Sequence, residues 1–255
     1  MAETPADASS PAPPAEASAE LRIGLLSDIH GNFAGLAAVA GALDAEGPFD
    51  NIVVAGDLLQ GGPRPREVWE FLIARGWTLI RGNEDESLQT DQPLNYLGAE
   101  RYRNAFLAGT AWTRGQVDDQ VLGSLAALPD RWRRPTLRGD LLVVHASPRS
   151  IVDRAGGVHN TLAEVTEAYS GTGAQAIAFG HYHRGFVRPT PFALLINVAS
   201  VGLPRDGRAL ACYTILTVNQ DGWVVEQRQI PYDPQEEARA AAERGLPPWT
   251  PDPPP

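Results

Sequence analysis

The chain has 255 residues, 43% of them hydrophobic, enough for one sizeable core or two small ones. Thirty-one acidic residues outweigh 21 basic ones, giving a net charge of −10, which excludes a surface built to wrap nucleic acid. Every basic residue is arginine, so Schiff-base chemistry and the lysine of a P-loop are excluded as well.

Residues 1–20 are rich in Pro, Ala and Ser and cannot bury enough apolar surface to offset ordering, so they are expected to form a disordered tail. They hold neither a basic n-region nor an apolar h-region, which argues against a secretory signal. No window approaches the ~20 apolar residues of a membrane span. The single cysteine, Cys212, lies in an apolar run and reads as a small core residue; it leaves no intrachain disulfide. A cytoplasmic protein that does not enter membranes is the expectation.

Leu21–Ser27 is a compact apolar run, and Phe33–Ala45 carries helical spacing. Asn51–Ala55 and Trp77–Ile80 are two more strand-like runs, separated by a Gly/Pro-rich loop and a helix at Arg66–Arg75. This β-loop-α alternation predicts parallel strands with crossover helices. Residues Asp85–Pro135 read as mostly helical and amphipathic, a partial cap beside the site. The second half is rich in strands: Asp140–Val144, Gln175–Phe179, Phe186–Arg188, Ala193–Val198, Ala209–Val218 and Trp223–Ile230. Asn219-Gln220-Asp221-Gly222 between the last two is a hairpin turn, because Asp-Gly tolerates positive φ. A helix over Gln235–Arg244 and a loose Pro-rich end complete the chain, so the folded domain spans 21–232 and the C-terminal helix and tail 233–255. Two packed sheets with helices outside is the predicted architecture.

The strands end at polar clusters. The first runs into Ser27-Asp28-Ile29-His30-Gly31-Asn32, the second into Gly56-Asp57, the third into Arg81-Gly82-Asn83-Glu84-Asp85. Later strands end at His145 and at Gly180-His181-Tyr182-His183. Ligands bind outside the carboxyl ends of strands in open α/β sheets, so these clusters outline a convergent metal site. In Asp28-x-His30 the two side chains leave an extended segment on one side, since strand side chains alternate; the same holds for His181-x-His183 unless a turn aims them at two adjacent ions. Glycines before Asp57, Asn83 and His181 let the backbone bend next to a close-packed centre. Mixed oxygen and imidazole ligands suit Mn, Fe, Zn or Ni better than Ca or Mg.

In this order the motifs Asp28-x-His30, Gly56-Asp57, Gly82-Asn83, His145 and Gly180-His181-x-His183 resemble the calcineurin-like metallophosphoesterase superfamily, and within it the small bacterial and archaeal phosphodiesterase group. The segments Asn197–Gly202 and Pro204–Gly207 support the resemblance. It implies a four-layer α/β/β/α sandwich with two mixed sheets flanked by helices. It implies two divalent metal ions, Mn foremost: Asp28, His30 and His183 on the first, Asn83, His145 and His181 on the second, with Asp57 bridging. It further implies a water or hydroxide between the ions as nucleophile on a small phosphoester, with cyclic nucleotides among the candidates. Asp57, Asn83 and Glu84 are the candidate catalytic residues. Glu84 stands where the family usually has histidine; it donates a proton only if its pKa is raised, and otherwise turns away and leaves that step to water.

Asn32 and Arg205 are candidates for touching substrate phosphate, with an ion pair to Asp206 as the alternative for Arg205. His159 reads as a loop or helix-cap residue, Gly139-Asp140 as a hairpin turn, and Arg131–Arg134 as a solvated basic run. The neighbouring activities are phosphomonoesterase and dinucleoside-polyphosphate hydrolase. The rival from another class is a non-catalytic scaffold like the retromer subunit of similar fold, which has degraded ligands, whereas all seven ligand types are present here. The oligomeric state is not legible.

Overall fold

The computed structural model describes residues 20–90, 100–205 and 208–248, so the tail expected over residues 1–20, Glu20 apart, and the part of the Pro-rich end beyond residue 248 lie outside the described residues. In chain order, β1 (Leu21–Leu26) leads through α1 (Phe33–Glu46) to β2 (Asn51–Val54), then through α2 (Pro65–Arg75) to β3 (Thr78–Leu79). Three helices follow, α3 (Asn83–Ser87), α4 (Glu100–Gln116) and α5 (Asp119–Ala126), before the hairpin of β4 (Arg131–Thr136) and β5 (Gly139–Val144). Then come α6 (Leu162–Tyr169), β6 (Ala176–Phe179), β7 (Phe186–Pro189) and β8 (Leu194–Asn197). The hairpin of β9 (Leu210–Asn219) and β10 (Gly222–Pro231) precedes α7 (Pro234–Arg244).

One sheet has the order β10-β9-β1-β2-β3 and the other β4-β5-β6-β8-β7. In the first, β1, β2 and β3 run parallel and β9 antiparallel to β1; in the second, β5, β6 and β8 run parallel and β4 and β7 antiparallel at the edges. Period-two alternation builds the layers. Ile23 and Leu25 of β1 meet Leu141 and Val143 of β5 and Ala176 and Ala178 of β6 between the sheets. The opposite faces pack outward, Leu26 against Leu36, Val39 and Leu43 of α1, and Leu142 and Ile177 against Val165 and Tyr169 of α6. The result is the α/β/β/α sandwich. Cys212 is buried in β9, as its apolar surroundings required.

Two local expectations are corrected. Arg131–Arg134 is solvated, as expected, but it is part of β4, an edge strand, instead of the helical run expected through Pro135; Pro135 is tolerated because an edge strand has one unpaired side. The helix α6 was not anticipated, although Thr161 and Glu164 form the capping box that marks its start. The helix expected over Gln235–Arg244 is α7, and it docks on α1 and α2, with Ala34 N–H donating to Glu237 and Arg64 and Glu67 pairing with Glu236 and Arg244. No described helix is long and apolar enough to cross a membrane.

Candidate metal centre

The loops after β1 and β2 lie side by side. Asp28 N–H donates to Gly56 O at 3.0 Å, His30 N–H to Asp57 O at 3.0 Å and Gly31 N–H to Leu58 O at 2.9 Å. Within this lattice the site residues leave extended geometry. Asp28, His30, Asp57, His181 and His183 have φ of 55°, 51°, 53°, 66° and 57°. Side chains therefore do not converge by strand alternation, as the Asp-x-His spacing suggested; each is delivered by a left-handed turn. Such a conformation costs a non-glycine residue of order 1–2 kcal/mol. Five in one site mark backbone strain concentrated at function. The neighbours are glycine for lack of room: a Cβ on Gly82 would overlap Asp57 Oδ1, and one on Gly180 would overlap Ser27 and Asp28.

Two nests result. In the first, His183 Nε2 is 3.2 Å from Asp28 Oδ1, and His30 Nε2 is 3.1 Å from His183 Nε2 and 3.8 Å from Asp28 Oδ1. In the second, Asn83 Oδ1 lies 2.8 Å from His145 Nε2 and 2.7 Å from His181 Nδ1, and Asp57 Oδ2 lies 3.3 Å from His145 Nε2. Asp57 Oδ2 is also 4.0 Å from His30 Nε2, so its carboxylate stands between the nests. The turn at His181-x-His183 sends the two rings to different nests, the alternative the spacing left open.

The donor chemistry fits a cation in each nest. His30, His145 and His183 point Nδ1 at the carbonyls of Gln60, Ala55 and Leu203, at 2.9, 2.7 and 2.8 Å. A carbonyl only accepts, so each Nδ1 carries the proton and each Nε2 turns a lone pair inward. Two lone pairs 3.1 Å apart beside a buried carboxylate repel unless positive charge sits among them. In the metal-free protein protons supply it. Burial alone would lower His30 and His145, but Glu84, Asp57 and Asp28 outweigh it at His30 and hold it up to about 10. Asp57 and Asp28 hold His145 up to about 9 in the same way. Burial and the His145 charge push His181 down to about 3. Burial would raise Asp28 and Asp57, yet the surrounding histidines keep both below the usual carboxylate range.

Behind the nests a second carboxylate fixes the backbone. Asp85 is fully buried and accepts N–H groups from Asp57 at 2.8 Å, Leu58 at 2.9 Å and Gly82 at 2.9 Å. Burial and the nearby Asp57 push Asp85 up to about 6. Glu84 does not turn away. Its backbone N–H donates to Asp57 Oδ1 at 2.8 Å, and its carboxylate reaches 3.3 Å from His30 Nδ1 with 14% of the side chain exposed.

Asn32 and Arg205 are placed differently from the seven ligand candidates. Asn32 caps α1: Oδ1 accepts from Gly35 N–H at 2.8 Å, and Nδ2 donates to Gly202 O and the Tyr232 hydroxyl. Both ends of its amide are committed, which leaves the residue no donor for a phosphate. Arg205 is exposed, and its backbone N–H donates to His183 O at 3.0 Å, which ties its loop to the first nest. The Asp206 alternative falls outside the described residues. His159 lies exposed in a turn away from both nests, and Gly139, at φ 97°, closes the β4–β5 hairpin. Sequence reading overlooked Gln60, whose carbonyl orients His30 and whose amide is held by the Ser87 and Thr110 hydroxyls. No local pattern distinguishes it.

A two-sheet α/β sandwich carrying paired Asp/His nests at its strand ends defines a protein of the metallophosphoesterase class. The sequence matches the calcineurin-like phosphoesterase superfamily domain over residues 21–221. The chain belongs to that superfamily, which places it among hydrolases of phosphate esters. It is similar to a metallophosphoesterase from Sphaerobacter thermophilus, with 26% identity, a TM-score of 0.67, and coverage of 89% of this chain and 95% of that one. A hypothetical protein from Pyrococcus horikoshii shares the fold, with a TM-score of 0.75 at 18% identity over 89% of this chain and 94% of that one. An uncharacterized protein from Methanocaldococcus jannaschii is 24% identical, over 89% of this chain and 94% of its own length.

Proposed function

We propose that the chain is a two-metal phosphodiesterase acting on small phosphodiesters in the cytoplasm, with manganese as the ion. Asp28, His30 and His183 would hold one ion and Asn83, His145 and His181 the other, with Asp57 shared. When bound, two such ions activate a water and neutralise the phosphoryl oxygens during in-line attack. The observation that carries the reading is the shared Asp57 carboxylate between two nests into which His30, His145 and His183 turn Nε2 and His181 turns Nδ1.

The residues of this chain do the rest. The Gln60, Ala55 and Leu203 carbonyls hold three imidazoles in one tautomer, so no proton has to leave an Nε2 of a neutral ring when an ion enters. Asp85 pins the backbone of Asp57 and Gly82, which keeps the shared carboxylate and Asn83 in register. The Glu84 carboxylate at the edge repels a dianionic monoester more than a monoanionic diester, which favours the diester. The acidic surface removes long nucleic acid from the substrate class and leaves small esters, nucleotides among them.

The test is to load the purified chain with Mn, count ions by elemental analysis and measure hydrolysis of bis(4-nitrophenyl) phosphate. Two ions per chain and chelator-sensitive turnover are expected. At most one ion at saturation, or turnover indifferent to chelation, refutes the reading.

A further inference from the structure

Three of the imidazoles rest on backbone carbonyls, but only one of them also meets a carboxylate at that nitrogen. His30 Nδ1 lies 2.9 Å from Gln60 O and 3.3 Å from a Glu84 carboxylate oxygen. At Nδ1 of His145 and His183 the sole partner among the described residues is a carbonyl, Ala55 O or Leu203 O. The Glu84 carboxylate is only 14% exposed, and among the described residues no other polar side chain or backbone group contacts it. Holding a carboxylate largely out of water is costly unless positive charge or a donor stands beside it. An ion on Nε2 draws electrons from the ring and makes the Nδ1–H side more positive, which is where Glu84 stands.

The placement is fixed by the fold. The Ser87 hydroxyl lies 2.6 Å from Glu84 O and 2.9 Å from Gln60 Oε1, so the two residues that meet His30 Nδ1 hang on one support. Glu84 N–H donates to Asp57 Oδ1 at 2.8 Å, which leaves Asp57 Oδ2 to face the nests. Donor atoms of Glu84, His30 and Asp57 also fall within 4.8 Å of one another, the spacing of a ligand set. The direction of the ring argues for support instead: Glu84 meets the outer nitrogen, whereas Nε2 faces His183 and Asp28.

We propose that Glu84 is a positioning residue for the ion of the first nest: together with the Gln60 carbonyl at Nδ1, its carboxylate holds the His30 ring and makes Nε2 a stronger ligand. The inference rests on the two-metal reading above, and it gives Glu84 a task at a position where the superfamily usually has histidine. A carboxylate engaged as acceptor at His30 Nδ1 is not available to hand a proton to the leaving group. The residue then acts on the ion through His30, without touching substrate.

The test titrates the chelator-stripped full chain with Mn by calorimetry, comparing wild type, Glu84→Gln, His30→Gln and the double variant. Glutamine keeps the shape of Glu84 and removes its charge. Glu84→Gln should weaken one of the two ions roughly tenfold or more and leave the other unchanged. In the His30→Gln background the same change should cost at most about twofold, since the partner through which it acts is gone. Two unchanged affinities in Glu84→Gln, or both ions weakened alike, overturn the inference while the two-metal site stands. An equal loss in both backgrounds makes Glu84 a direct ligand and overturns it as well. At most one ion on the wild type refutes the two-metal reading, and this one with it. If His30→Gln does not fold or holds a single ion, nuclear magnetic resonance of the Zn-loaded chain decides. The Nδ1 proton of His30 should shift in Glu84→Gln while those of His145 and His183 stay in place; an unmoved His30 signal overturns the proposal.

Discussion

Replacing Asp85 by alanine should cost more stability than any other single change behind the metal centre. The carboxylate accepts three backbone N–H groups, from Asp57, Leu58 and Gly82, in a site closed to solvent. Each orphaned buried donor costs about 1–3 kcal/mol, and water entering the vacated space recovers part of it, so a total of about 3–5 kcal/mol is expected. At roughly 2–4 °C per kcal/mol for a chain of this size, the melting temperature should drop by about 6–20 °C. Asp85→Asn keeps one acceptor oxygen, which can serve Asp57 and Gly82 together, and sets an NH₂ against Leu58 N–H; one lost bond predicts about 1–3 kcal/mol. The assay is urea unfolding of metal-free protein, followed by Mn titration of whatever remains folded. Because Asp85 fixes the backbone that presents Asp57, both ions should loosen in either variant. An alanine cost below ~1 kcal/mol, or equal costs for alanine and asparagine, refutes the reasoning from orphaned donors.

Asp57→Asn should reduce saturable Mn from two ions to at most one and abolish turnover, since this side chain stands between the nests; elemental analysis showing two ions would remove its bridging role. Asn83→Ala and His145→Ala should mainly loosen one ion, with turnover partly restored by excess Mn; no rescue at any concentration counts against their assignment. At Glu84 the lack of histidine should make turnover depend on the leaving group, nitrophenyl diesters outpacing alkyl monoesters, because general-acid help is worth about 10²–10⁴-fold. Glu84→His should narrow that gap; Glu84→Ala falling as far as a ligand variant would make Glu84 a ligand or proton donor. In the metal-free chain His30 and His145 are raised to about 10 and 9 from the ordinary 6.5. Their stabilisation is complete below that ordinary value and is lost as pH climbs through 9 to 10. The melting temperature of chelated protein should fall across this window and Mn affinity should rise through it, as ions displace those protons; a flat melting profile contradicts the assignment.

Most strands and the chain order of the site were legible because both are local signals. An apolar run that stops at Asp-x-His or Gly-Asp is written in consecutive residues, whichever sheet the strand joins. The C-terminal hairpin was equally plain from Asp221-Gly222, and Gly139-Asp140 from its turn chemistry. β4 was hidden because an exposed edge strand has no buried face to impose alternation on Arg131–Thr136. α6 was visible only through Thr161 and Glu164, a two-residue cue between loops.

The amino-acid sequence by itself determined the family, the two-sheet class and the seven residues that converge, because residue type and order are enough for those. Tertiary structure decided how they act. β9 and β10 return to the sheet that holds β1, which no local pattern dictates, since pairing partners more than 180 residues apart are chosen by shared burial. The left-handed turns at Asp28, His30, Asp57, His181 and His183, the carbonyls that orient three imidazoles, and the commitment of Asn32 to a helix cap all depend on distant backbone. The same holds for Glu84 facing His30 and for Arg244 at the end of α7 reaching Glu67. A side chain's chemistry is carried in the sequence; its neighbours, and hence its protonation and direction, exist only once the chain has folded.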